Sequence, residues 1–181
     1  MDKKNNTKDI LAESLRQLIQ KMPFHSITIK KICDEAGVVR VTFYNYFVDK
    51  YDALDYLMQC DLKEGVCVQQ KDPMKTLIEH LASVLTAHRR FYEVAVEIDG
   101  QNGFQEIFIH RVREVIEQIL DVHRTSMAEA PELNNAFLGE SYAVMIFYFV
   151  RIWLKTPSMK EEDFIKNVLK MSHSSFYDFM K

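Results

Sequence analysis

Two short helical patterns stand side by side between residues 28 and 47, and a single glycine separates them. Thr28 is a favourable N-cap for the first pattern. The apolar residues of that pattern recur at i, i+3, i+4 and i+7 and are Ile29, Ile32, Cys33 and Ala36. Gly37 can end the helix in the left-handed conformation. The second pattern spaces Val39, Phe43 and Phe47 four residues apart, which predicts one inner face. Two short helices joined by a tight turn with glycine form the outline of a helix-turn-helix.

Longer amphipathic patterns fill the rest of the chain, and they are helical too. Only five glycines and four prolines punctuate the 181 residues, too few for the many turns of an all-β domain. The additional predicted helices cover residues 7–22, 49–70, 72–88, 91–97, 104–127, 132–155 and 159–180. Ser158 and Glu161 have the spacing of a capping box for the last of them. The sequence therefore predicts an all-α fold of about nine helices.

The outer face of the second short helix carries groups suited to DNA. If Val39, Phe43 and Phe47 face inward, the outward side chains are Arg40, Val41, Thr42, Tyr44, Asn45 and Tyr46. Hydroxyl groups can donate to phosphates, while arginine and asparagine can read base edges in the major groove. Residues 1–50 hold nine Lys or Arg against six Asp or Glu, whereas residues 51–181 hold 14 against 20. The basic part of the chain therefore carries this helix. An ordinary polar surface helix, with two aromatic rings lying over a neighbour, is an equal alternative at this point.

The strongest motif is residues 27–50, ITIKKICDEAGVVRVTFYNYFVDK. It closely resembles the helix-turn-helix signature of the TetR/AcrR-type transcriptional regulators. The resemblance covers about residues 7–62, and beyond them only the helical layout and the helix lengths match. It implies an N-terminal three-helix DNA-binding domain over residues 1–50 and a C-terminal effector-binding and dimerisation domain over residues 51–181.

The resemblance implies a double-stranded DNA operator as the partner. The implied phosphate contacts are Thr28, Thr42, Tyr44 and Lys50. Arg40, Val41 and Asn45 would face the groove, and Tyr46 would lie at its edge. Tyr46 stands where the family often has histidine, and Val41 stands where a small residue is common. The methyl groups of Val41 are therefore expected to meet a thymine methyl, but the operator sequence stays open.

The family binds DNA as a symmetric homodimer, and its dimer surface is a four-helix bundle formed by the last two long helices. One short recognition helix gives little affinity, whereas two of them at the spacing of a helical turn match a palindrome. Residues 142–150 are apolar almost all round, which a monomer of this size can scarcely bury. The predicted interface residues are Phe147, Val150, Trp153, Phe164, Val168 and Met171. A central core helix is the alternative for residues 142–150.

The resemblance also implies an effector pocket. The predicted pocket residues are Met58, Phe91, Tyr92, Phe104, Phe108, Tyr142, Met145 and Phe149, although plain core is the favoured alternative for each. The C-terminal region more weakly resembles the subgroup that contains dihydroxyacetone-kinase operon activators, which take their signal from a partner protein. The predicted function is a homodimeric repressor whose DNA affinity a small-molecule effector modulates. The alternatives are an activator or a helical protein-interaction module whose effector is a partner protein.

Other classes of function find no support in the sequence. The six histidines form no metal-binding spacing, and there is neither a glycine-rich phosphate loop nor a nucleophile elbow. No catalytic residue, metal or cofactor is therefore predicted. Three cysteines, Cys33, Cys60 and Cys67, suit a reducing cytosol, although Cys60 and Cys67 could alternatively sense redox state. The polar N-terminus predicts no signal peptide, and the nine-residue apolar run is too short to span a bilayer. A cytoplasmic protein that is not an enzyme is expected.

Overall fold

The computed structural model describes residues 6–63, 69–100, 102–123 and 134–173. Within these ranges the regular structure consists of nine α-helices and one 3₁₀ turn over Phe24–Ser26, without a strand. The helices are α1 Thr7–Ile19, α2 Ile29–Ala36, α3 Arg40–Tyr44, α4 Lys50–Lys63, α5 Pro73–Ala87, α6 Arg89–Ala95, α7 Phe104–His123, α8 Asn135–Lys155 and α9 Glu161–His173. The predicted all-α fold is confirmed.

Side-chain caps begin most of these helices where the sequence places them. The Thr28 hydroxyl accepts a hydrogen bond from the Lys31 N–H at 3.3 Å. Asp49 accepts from the N–H groups of Tyr51 and Asp52 at 2.8 and 2.9 Å. Asp72 caps α5, and Pro73 occupies the first turn, where its missing N–H costs nothing. These short polar side chains satisfy N–H groups that have no partner within the helix, so they fix where each helix starts.

Helix ends follow the sequence less closely. The predicted capping box at Ser158 is wrong, because α9 begins at Glu161 and its first helical bond runs from the Phe164 N–H to the Lys160 carbonyl at 3.1 Å. α1 ends at Ile19 instead of residue 22, and α3 spans only five residues. The predicted ends at residues 127 and 180, the predicted start at residue 132 and Cys67 lie outside the described residues.

Contacts group the chain into two compact units. Unit 1 comprises residues 1–61 and 90–107, and it contains α1 to α3, most of α4, most of α6 and the first residues of α7. α2 packs on α1 and on α3. The apolar side chains at the centre of unit 1 are Leu11, Leu15, Ile19, Ile32, Phe43, Leu54, Phe91 and Phe104, all buried. The sequence predicts a functional boundary at residue 50, between DNA-binding and effector-binding residues. This boundary stays a prediction.

Unit 2 comprises residues 62–89 and 108–181 and contains α5, most of α7, α8 and α9. α9 packs on α5 and on α8. The Trp153 indole stacks on Phe164 with ring centroids 4.4 Å apart, and its N–H donates to the Met159 carbonyl at 3.0 Å. Arg89 donates to the Trp153 and Leu154 carbonyls, which supplies partners at the C-terminal end of α8.

α8 is the most apolar helix of unit 2. It is long and apolar enough to cross a membrane by length and composition alone, with a mean hydropathy of 1.4 over 18 residues. The nine-residue apolar run of residues 142–150 is therefore only part of this apolar helix. In the structure one face of α8 packs inside unit 2 through Ala143, Ile146, Phe147, Val150 and Leu154, as in the core helix of a globular domain.

Candidate DNA-binding surface

The turn between α2 and α3 depends on a glycine conformation. Gly37 adopts φ 69° and ψ 30°, the left-handed region in which a β-carbon would be strained. The next N–H, from Val38, donates to the Cys33 carbonyl at 3.0 Å and closes the end of α2. Val39 then precedes α3 in an extended conformation, with φ −87° and ψ 156°. The chain thereby reverses between two short helices, which is the geometry of a helix-turn-helix.

Two phenylalanines hold α3 against unit 1. Phe43 and Phe47 are buried, with ring centroids 5.5 Å apart, and the Phe47 ring lies 5.6 Å from that of Tyr56 on α4. The prediction that Val39 shares this inner face is wrong, because Val39 is 70% exposed. Val39 is the residue before the helix, so its extended backbone does not continue the helical spacing of Phe43 and Phe47.

Most residues of the predicted outer face of α3 are exposed. Arg40, Val41, Tyr44, Asn45 and Tyr46 are exposed, and Thr42 is half-buried. Phe43 alone among the five residues of α3 is buried. The surface thus combines one guanidinium, one amide, two phenols and one hydroxyl, which can donate to phosphates and bases.

The two remaining predicted phosphate contacts, Thr28 and Lys50, also have structural roles. Thr28 is exposed, and as an N-cap its oxygen accepts a bond while its hydroxyl hydrogen can still be donated. The Lys50 ammonium donates to the carbonyls of Phe24 and Ile27 at 2.7 and 3.1 Å and lies 4.3 Å from the centroid of the Phe24 ring. Burial lowers the pKa of Lys50, while the charge of Asp49 opposes that shift. Lys50 therefore joins α4 to the 3₁₀ turn that precedes Thr28.

Valines add apolar surface to this part of the chain. Val41 is 70% exposed and Val48 is 81% exposed. Of the 11 large apolar side chains that are exposed among the described residues, five lie between residues 39 and 48. Sequence reasoning missed Val39 and Val48, although the N-cap position of Val39, directly before a helix, is a signal that it leaves the apolar stripe.

A buried ionic network lies behind the surface, and sequence reasoning also missed it. Arg16 on α1 is only 4% exposed. Its two terminal nitrogens donate to the two carboxylate oxygens of Asp61 on α4, at 3.1 and 2.9 Å. Tyr92 on α6 donates its hydroxyl to the same carboxylate. The Arg16 guanidinium also lies 4.8 Å from the centroid of the Phe91 ring. Three helices of unit 1 thus meet at one carboxylate.

Electrostatics keep this network in one protonation state. Burial disfavours the charge of Arg16, but the hydrogen bond and the charge of Asp61 outweigh it, so the pKa of Arg16 is raised. Burial, together with the charge of Asp61, raises the pKa of Tyr92 well above its ordinary value. Tyr92 therefore stays a neutral donor, and Arg16 stays the cation that balances the carboxylate.

The predicted effector residues are divided between the two units. Met58, Phe91, Tyr92 and Phe104 are buried in unit 1, Phe108 is buried in unit 2, and Tyr142, Met145 and Phe149 are half-buried there. Unit 1 contains two open grooves of about 650 and 490 Å³. The first lies between residues 19–25, Tyr51 and residues 94–99, and the second lies along α1 and α4. No predicted effector residue lines either groove, and the effector assignment stays a prediction.

Five of the six predicted interface residues need correction. Phe147, Val150, Trp153, Phe164 and Val168 are buried within the single chain, so they offer no surface to a second copy. Met171 alone of the six is exposed. The exposed apolar residues of α8 are instead Phe137, Tyr148 and Ile152.

Among the described residues, no group of three or more His, Cys, Asp or Glu side chains is placed to hold a metal ion.

A glycine-closed turn, a short second helix held by two phenylalanines and a polar outer face define a helix-turn-helix DNA-binding protein. Comparison with known families agrees. The model of the tetR family of bacterial regulatory proteins matches residues 10–57, and that of a transcriptional regulator C-terminal region matches residues 72–174. The chain belongs to the TetR family of transcriptional regulators.

Individual relatives are distant. The chain is 23% identical over 157 residues to the HTH-type dhaKLM operon transcriptional activator DhaS of Lactococcus lactis, covering 83% of this chain and 81% of the relative. The solved structure of a dihydroxyacetone kinase operon activator DhaS is similar with a TM-score of 0.65 and 21% identity, covering 91% and 93% of the two chains. A TetR-family regulator from Syntrophomonas wolfei gives a TM-score of 0.67 and 18% identity, covering 91% and 92%. At these identities the structures support the fold.

The buried network gives a stability prediction. Arg16→Met leaves the Asp61 carboxylate without its cation, so we expect a loss of about 3 kcal/mol in the free energy of unfolding. Tyr92→Phe removes one hydrogen bond to a charged group, and we expect a loss of about 1.5 kcal/mol. Urea unfolding followed by circular dichroism, at one protein concentration, measures both.

The matched control is Arg90→Met, which changes an exposed arginine on α6, and we expect a change of about 0.5 kcal/mol or less. The triple variant Arg16→Met/Asp61→Leu/Tyr92→Phe removes both charges together with the hydroxyl that donates to Asp61, and it should recover most of the loss. A loss below about 1 kcal/mol for Arg16→Met would show that the network does not hold the three helices together.

Proposed function

We propose that this chain is a cytoplasmic homodimer that binds a palindromic operator and changes transcription when an effector alters the dimer. The observation that carries the proposal is the exposed polar face of α3, together with the exposed Thr28 and the half-buried Lys50. The basic charge of residues 1–50 supports phosphate contact by this face. Thr28, Thr42, Tyr44 and Lys50 are the proposed phosphate contacts, and Arg40, Val41, Asn45 and Tyr46 are the proposed groove contacts.

Base reading in this proposal centres on Arg40. It stands at the first position of α3, the end by which a recognition helix meets base edges. An exposed guanidinium can bind guanine through two parallel hydrogen bonds. Tyr44 lies one turn further along the same helix face, where its hydroxyl can donate to a phosphate. A substitution of Arg40 therefore tests sequence-specific binding, whereas a substitution of Tyr44 tests general phosphate contact.

Substitution on α3 tests DNA binding directly. We expect Arg40→Ala to weaken operator binding about 5- to 150-fold, because one base contact is worth about 1–3 kcal/mol. Tyr44→Phe should weaken it about tenfold through the loss of one phosphate hydrogen bond. Fluorescence anisotropy with DNA from upstream of the gene, at two salt concentrations, measures both effects.

Lys75→Ala is the control, because Lys75 is an exposed cation on α5 in unit 2, and it should bind like the parent. Phosphate-driven binding must also weaken steeply as salt rises, since each neutralised phosphate releases counterions. Unchanged binding by Arg40→Ala and Tyr44→Phe, or a flat salt dependence, would favour the helical protein-interaction module instead.

Homodimer formation is supported by an apolar stripe along α8. Phe137, Val144, Tyr148 and Ile152 are spaced i, i+7, i+11 and i+15, so they lie on one side of the helix. Phe137, Tyr148 and Ile152 are 55%, 48% and 54% exposed, whereas the opposite side is packed inside unit 2. An exposed apolar stripe of this length is typical of an interaction surface. A second copy of α8 would cover it in a symmetric interface.

We expect Tyr148→Asp/Ile152→Asp to raise the dimer dissociation constant at least tenfold, because each copy would place two carboxylates in the apolar contact. Sedimentation equilibrium measures this constant. Val122→Asp is the matched control, since Val122 is an exposed valine of similar accessibility on α7, and it should leave the constant unchanged. Equal dimerisation by the double variant and the parent would place the interface elsewhere.

The sign of regulation has two candidates. The sequence predicts a repressor whose affinity for DNA is modulated by a small-molecule effector. The relative from Lactococcus lactis is named an activator, and its match extends over 83% of this chain. Activation with a partner protein as effector is therefore the second candidate. In both cases the effector acts by favouring one arrangement of the dimer over another.

Deletion of the gene decides between these candidates. A repressor predicts that transcription from the promoter it binds rises on deletion, and that re-expression of the parent chain lowers it again. Transcript quantification in the deletion strain measures the change, and a strain complemented with Arg40→Ala is the control for DNA binding. A fall in transcription on deletion would contradict repression and establish the activator.

A further inference from the structure

Two exposed valines flank the arginine of α3. Val39 and Val41 are each 70% exposed, and Arg40 stands between them in the sequence. Neither valine lies in the core of unit 1, where Phe43 and Phe47 supply the apolar contacts of this segment. Burial in the folded chain therefore does not explain why both positions are apolar.

Local helix formation does not explain Val39 either. Side chains of Asn6, Thr28, Asp72 and Asn134 cap α1, α2, α5 and α8. The N-cap of α3 is Val39, which makes no side-chain hydrogen bond. A serine, threonine, asparagine or aspartate at this position would satisfy an N–H group that valine leaves to solvent. An apolar residue at residue 39 thus works against the helix it precedes.

We propose that the exposed methyl groups of Val39 and Val41, which precede and follow Arg40 in the sequence, each contact the 5-methyl group of a thymine in the major groove. The inference rests on the proposed DNA-binding function and adds a specificity-determining residue, Val39, to it. The bases that the two valines contact would be thymines close to the base that Arg40 reads. The valines exclude water against these methyl groups, while Arg40 supplies the polar contact.

Major-groove chemistry supports thymine as the occupant. The thymine 5-methyl is the apolar group among the base edges of that groove, and an exposed aliphatic side chain is its ordinary protein contact. Recognition helices meet base edges with their N-terminal residues, and residues 39–41 form that end of α3. The Arg40 guanidinium, which neighbours both valines in the sequence, makes this end of α3 complementary to DNA in charge.

Replacement of thymine by deoxyuridine tests the proposal, because it removes one methyl group and leaves every hydrogen-bonding group in place. Operator duplexes are first selected from a random library with the full-length protein. Each thymine of a half-site is then replaced singly, and anisotropy measures the dissociation constant. We expect two or more thymines at which deoxyuridine weakens binding about fourfold, the effect of one buried methyl.

Variants assign the effect to the valines. Val39→Ala and Val41→Ala should each abolish the thymine preference at one of these positions, while binding to the remaining duplexes stays dependent on salt. Val48→Ala is the matched control, because Val48 is exposed to a similar extent but follows the C-terminal end of α3 instead of standing at its N-terminal end, and it should keep the full preference. Circular dichroism verifies that all three variants are folded.

Several outcomes would overturn the proposal. Salt-dependent, saturable binding that is equal for thymine and deoxyuridine at every position would refute the proposed methyl contacts, although the protein would still bind DNA. A preference that persists in both alanine variants would assign thymine reading to other residues. Absence of saturable binding to any duplex would refute the proposed function together with this inference.

Discussion

A guanidinium buried in an apolar core needs a fixed partner, and in unit 1 that partner is the Asp61 carboxylate. Arg16 lies between core leucines of α1, where an uncompensated charge would be costly. The two oxygens of Asp61 accept from the guanidinium, and the Tyr92 hydroxyl donates to the same carboxylate, so one carboxylate joins α1, α4 and α6. An apolar substitute of similar volume would tolerate small shifts of these helices, whereas a two-point ion pair would not. The network therefore sets where α4 lies against α1.

The position of α3 follows from that arrangement of α1 and α4. α3 has five residues, too few to be stable by itself. Phe43 and Phe47 hold it, and the Phe47 ring rests against Tyr56, which donates to Asp9 on α1 at 2.7 Å. α4 thus carries both Tyr56 and Asp61, each joined to α1 by a polar contact. The exposed face of α3 is oriented by two polar contacts and two aromatic rings, all within unit 1.

Local chemistry made much of this arrangement predictable. Thr28, Asp49 and Asp72 mark helix starts because their side chains can reach nearby N–H groups, whatever the tertiary structure. Arg16 could not be placed by the same reasoning, since a long cation can reach solvent from most positions and its burial depends on Asp61, 45 residues away. On α8, Phe147 is buried and its neighbour Tyr148 is exposed, and periodicity alone cannot say which side of so apolar a helix faces the core. The predicted interface therefore fell on the buried side.

Charge distribution explains why so small a surface can direct the whole chain on DNA. The total charge is −3, yet residues 1–50 carry three more basic than acidic side chains. The acidic excess of residues 51–181 is repelled by phosphates, so favourable contact is confined to the segment that contains α2 and α3. One such segment makes few phosphate contacts, and its affinity is correspondingly low. In the proposed homodimer, a second copy joined through the outer stripe of α8 would double these contacts without adding basic surface that would bind any sequence. Specific recognition in the proposed complex would thus depend on association as much as on α3.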